Sequence, residues 1–65
     1  MNEQDLLQQA ATLGMDHAES DHRGDRGVRL HSGRDVAAAL GIDDAGPDLL
    51  VALRESYASG WTNWA

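Results

Sequence analysis

Residues 47–65, "PDLLVALRESYASGWTNWA", carry the strongest periodic signal in the chain and decide how the rest is read. Pro47 has the backbone angle of a first helical position and Asp48 suits the positive end of a helix dipole, so a helix is expected to start there. Stepping about 100° per residue from Leu50, the side chains of Leu53, Tyr57, Trp61 and Trp64 all return to an arc roughly 80° wide. Such a stripe either seals a core or is held out for a partner. Leu50, Leu53 and Tyr57 sit where core is expected. Trp61 and Trp64 differ, because Gly60 weakens the helix before them by about 1 kcal/mol relative to alanine and a chain end frays. The aromatic end, Tyr57 with Trp61 and Trp64, is therefore read as a contact set for a partner protein, of the kind that forms a binding hot spot.

Two earlier helices follow from capping chemistry. In "SGRDVAAALG" (32–41), Ser32 is placed as N-cap, Asp35 at the third helical position and Gly41 as the left-handed stop. "IDDAGPD" then turns the chain. At the start, Asn2 is an N-cap with Asp5 three residues on. Leu6, Ala10 and Leu13 share one helical face, and Leu7, Ala11, Gly14 and Ala18 form an adjacent seam of mostly small residues. Gly14 has two readings: the stop of the first helix, or an interior residue that lets another helix approach closely. Ser20 to Gly33, "SDHRGDRGVRLHSG", is expected to be a loop, with a short extended piece at "GVRLH". The fold class that follows is all-α: one small three-helix domain over residues 1–65, with a long polar loop between helices 1 and 2.

Length and composition set limits. A chain of 65 residues buries only about 60% of its unfolded surface, so its stability is expected to be marginal. It has no cysteine, which rules out disulfides and thiolate metal sites. No apolar run approaches the roughly 20 residues of a membrane span, and "MNEQDLLQQ" is acidic where a signal peptide is basic. A soluble, cytoplasmic protein without membrane contact is expected. The net charge of −6 is uneven: two acidic segments, 1–20 and 35–65, flank a mildly basic middle with Arg23, Arg26, Arg29 and Arg34. A field of that kind repels nucleic acid and favours basic surfaces. Asp43, Asp44 and Asp48 are the carboxylates expected to meet such a surface.

Chemistry-bearing motifs are sparse. Asp16, His17, Glu19, Asp21, His22 and Asp25 could ligate a divalent ion, but His17 and His22 are five residues apart and about 140° out of helical register, so no metal is expected. Nothing arranges a nucleophile or walls off a pocket, so neither an enzyme nor a cofactor is implied. "RGD" at 23–25 reads as turn chemistry.

"RDVAAALGIDDAGPDLLVALRES" resembles the helix-turn-helix of bacterial repressors, with "DVA" opening the first helix and "LGI" closing it into the turn. That resemblance implies a DNA-binding regulator. This chain departs from the pattern by placing Asp43, Asp44 and Asp48 where a recognition helix presents arginine, lysine, asparagine or glutamine to bases. "ATLGMDHA" and "LRESYASGW" are also similar to segments of the ribosome modulation factor family, whose members are basic and contact ribosomal RNA. In an acidic chain the likeness transfers no RNA-binding residue.

The function expected is that of a small acidic, non-enzymatic protein-binding regulator or inhibitor, of the kind mobile genetic elements encode, acting on a partner with a basic surface. Where that surface binds nucleic acid, the protein would be a nucleic-acid mimic. A homo-oligomer is an open option, and helix-turn-helix DNA binding is the alternative.

Overall fold

The computed structural model describes residues 2–25 and 28–63. Among them there are three helices and no strand: α1, Glu3–His22; α2, Gly33–Ala39; and α3, Pro47–Thr62. The all-α expectation holds, and α1 and α2 each begin at a side-chain cap. The Asn2 side chain accepts from the Asp5 amide at 2.8 Å, and Ser32 Oγ accepts from the Asp35 amide at 3.1 Å. α3 starts with Pro47 after Gly46.

α1 and α2 end by the same device. The amide of Gly41 bonds to the Ala38 carbonyl and that of Ile42 to Ala37, while Gly41 takes φ +77°. At the end of α1, Gly24 bonds to Asp21 and Asp25 to Ser20, with Gly24 at φ +94°. Both are Schellman closures, in which a left-handed glycine lets two amides fold back onto the last carbonyls. Arg23-Gly24-Asp25 is thus a helix terminus, in keeping with its reading as turn chemistry. The first helix runs well beyond Gly14 and the loop shortens to residues 23–32, less than the Ser20–Gly33 span expected from sequence. Residues 28–31 take no regular structure.

The second reading of Gly14 is the observed one. A Cβ there would overlap the Tyr57 carbonyl oxygen and lie 3.0 Å from the Trp61 amide nitrogen. Gly60 is its counterpart on α3, where a Cβ would overlap the carbonyl oxygen of Ala11. The two glycines meet at one crossing, so α1 and α3 touch through their backbones. Gly33 brings the start of α2 equally close to the backbone of Leu50. Around these contacts Ala10, Val36, Ala37, Leu53 and Tyr57 form a buried cluster, and Leu6, Leu7, Leu13, Leu30 and Trp61 pack half-buried against it. Among the described residues, only Val36 and Leu53 of the larger apolar side chains are fully enclosed. In so small a core, close helix approach takes over part of the packing that bulky side chains provide elsewhere.

Candidate functional site

Among the described residues, the aromatic and acidic residues singled out by sequence lie apart. Asp43 and Asp44 lie exposed in the α2–α3 turn and Asp48 on the first turn of α3. Trp61 is thirteen residues further along that helix, roughly 20 Å away at the rise of an α-helix. Trp64 falls outside the described residues. Tyr57 is 2% exposed, so its ring belongs to the core cluster.

The Tyr57 hydroxyl has an internal task. It lies 2.8 Å from His17 Nδ1, accepts from the Leu30 amide at 3.1 Å and reaches the Val28 carbonyl at 3.4 Å. With Nδ1 protonated, the hydroxyl accepts from His17 and Leu30 and donates to Val28, which uses all its hydrogen-bonding positions. The two rings also meet edge to face, with centroids 5.6 Å apart. One residue of α3 thereby ties α1 to the loop. His17 is turned inward, away from the acids around it in sequence, and no three His, Asp or Glu among the described residues come together to hold a metal ion. Trp61 is half-buried, and the Arg29 guanidinium stacks on it 4.7 Å from the ring centroid. That geometry is a cation–π contact.

A concave surface with two carboxylates lies elsewhere, along α1. A groove of about 500 Å³ is lined by Asp5, Gln8, Gln9, Thr12, Leu13 and Asp16, with Leu40 of the α2 end across from them. Helix geometry explains the row: Asp5, Gln9, Thr12 and Asp16 fall within about 60° of one another. Asp5 and Asp16 are nearly in register, three turns and roughly 16 Å apart. Leu13 and Leu40 are half-buried and supply the apolar part. Thr12 is held by a bond from its hydroxyl to the Gln8 carbonyl at 3.0 Å. Glu19 continues the acidic face and meets Arg23 at 3.5 Å, a pair exposed enough to contribute little to stability. Sequence reasoning missed this groove because it weighed the acids by position in the chain; the polar row at helical spacing was the signal available. No helix among the described residues is long and apolar enough to cross a membrane.

No protein-family model matches the chain, and neither does any curated protein or solved structure.

Proposed function

We propose that this is a small acidic protein-binding module, a cytoplasmic regulator or inhibitor that docks on a basic segment of a partner through the α1 groove. The observation that carries the reading is the pairing of two carboxylates, Asp5 and Asp16, with an apolar surface from Leu13 and Leu40. That pattern complements a segment whose leucine-like side chains lie between cations spaced roughly 16 Å apart, about eleven residues on a helix. The net charge of −6 steers such a partner in, and the groove gives the encounter its register. The acidic turn at Asp43, Asp44 and Asp48 adds to the long-range field from a separate position. A helix-turn-helix reader is less well supported: those exposed carboxylates, at the N-terminus of what would be its recognition helix, repel phosphates.

The test is a chemical-shift titration with an amphipathic peptide of leucine and arginine at helical spacing. Saturable shifts at Gln8, Thr12 and Asp16, reduced in the Asp5→Asn/Asp16→Asn variant, are expected. Shifts spread evenly over all acidic residues would reduce the effect to counter-ion attraction and contradict the proposal. Shifts at the start of α3 on adding duplex DNA would favour the DNA reader.

A further inference from the structure

On another face this acidic protein is locally cationic. A recess of about 280 Å³ between the loop and α3 is lined by Arg29, Leu30, His31, Arg54, Glu55 and Tyr57, together with Ala58. Arg29, His31 and Arg54 present two guanidinium groups and an imidazole around it, against a single carboxylate. Among the described residues neither Arg29 nor Arg54 meets a carboxylate in an ion pair; Arg23 does, with Glu19. The recess is also organised in advance. Tyr57 fixes the backbone on both sides of Arg29 through Val28 and Leu30, and the Trp61 ring supports the guanidinium from beneath.

We infer that this recess is a binding site for an oxyanion, a phosphate group carried by a ligand. An arginine guanidinium offers a planar fork of donors that matches tetrahedral phosphate oxygens, and a guanidinium stacked on an aromatic ring keeps its edge free to donate. The remaining acids of the chain do not forbid this, because at physiological ionic strength charges act over about 8 Å and local groups dominate. Glu55 is the one acid at the rim. It competes with the anion, so the site is tuned below the affinity its arginines would otherwise give. This site is independent of the α1 groove and of the partner proposed for it.

The experiment is a nuclear magnetic resonance titration of the full chain with inorganic phosphate at constant ionic strength, with acetate as a carboxylate control. Arg29 and Arg54 side-chain resonances, the Leu30 and His31 amides and the Trp61 indole are expected to shift together and saturate with phosphate, and to respond more weakly to acetate. Arg29→Gln and Arg54→Gln should each weaken phosphate about fivefold, while Glu55→Gln should strengthen it by a similar factor. Glu55 is exposed, so its replacement leaves the fold intact, and a gain in affinity is not an effect that damage to the fold produces. Equal shifts at Arg23 and Arg34, an acetate response as strong as that to phosphate, or a Glu55→Gln variant without tighter binding would each overturn the assignment.

Discussion

Where α3 crosses α1, backbone meets backbone; where α3 meets the loop, one phenolic hydroxyl makes the join. At the crossing, Gly14 and Gly60 leave no side chain in the way, and each stands against the opposite helix's carbonyl. At the loop, Tyr57 reaches out from the core and gathers His17, Leu30 and Val28 around one oxygen. The first contact tolerates no added atom, because a carbonyl inside a helix cannot rotate aside. The second can lose an atom and fail locally. Close approach therefore carries the global fold of this small chain, and a polar anchor carries the placement of its loop.

The largest effect that distinguishes the two regions is expected from Gly60→Ala. The new methyl would overlap the Ala11 carbonyl and force the helices apart, costing about 3 kcal/mol or more. That is comparable with the roughly 3–5 kcal/mol that a core of this size supplies. A circular-dichroism melt should show the cooperative transition lost or moved far down. An unchanged melt would break the comparison.

Tyr57→Phe comes next. It keeps the ring and removes the hydroxyl, leaving the Leu30 amide and His17 without their common partner, at a cost of about 1–3 kcal/mol. The loss should be local: hydrogen exchange at the Leu30 amide should speed up more than at Leu53 and the α1–α3 crossing. Equal acceleration everywhere would mean that the hydroxyl supports the whole fold. The smallest effect is expected from Arg29→Gln, which removes an exposed cation–π contact of about 0.5–1 kcal/mol. Leu30 exchange should stay as in the parent, since the Tyr57 bonds to the backbone are untouched; faster exchange would make the Trp61 stack part of the anchor.

Much of the helical framework was legible because capping is local chemistry. Ser32, Gly41 and Pro47 each act within a few residues, and each falls where its chemistry places it. The apolar stripe of α3 packs inward as its spacing indicated, but its reading passed over Gly60. Its buried centre is Leu53, Tyr57 and Gly60, with Leu50 and Trp61 half-buried along one flank. A count of hydrophobic residues passes over Gly60, although at helical spacing it falls about 20° from Leu53. The extent of α1 was ambiguous for a related reason: an interior glycine and a terminal one are the same letter, and only a tertiary neighbour separates them. The smallness of both Gly14 and Gly60 was visible, but their pairing was not, since nothing within either helix refers to the other. The Tyr57 hydroxyl could not be placed because its partners lie 40, 29 and 27 residues away. The α1 groove needs Leu40 beside α1, which is likewise a product of the fold.

Two glycines of one helix test the central claim most directly. Gly14 sits within α1 against the Tyr57 backbone, while Gly24, at φ +94°, closes its end with open space around it. Helix propensity alone says that Gly14→Ala stabilises by about 1 kcal/mol. The contact at the crossing demands the opposite sign. Gly24→Ala meets nothing and costs only its left-handed backbone, about 1 kcal/mol, or roughly 4–8 °C in a chain of this size. Thermal melts of the two variants beside the parent should show Gly14→Ala falling well below Gly24→Ala, or failing to fold. A Gly14→Ala protein that melts at or above the parent temperature would contradict a fold built on backbone contact between α1 and α3.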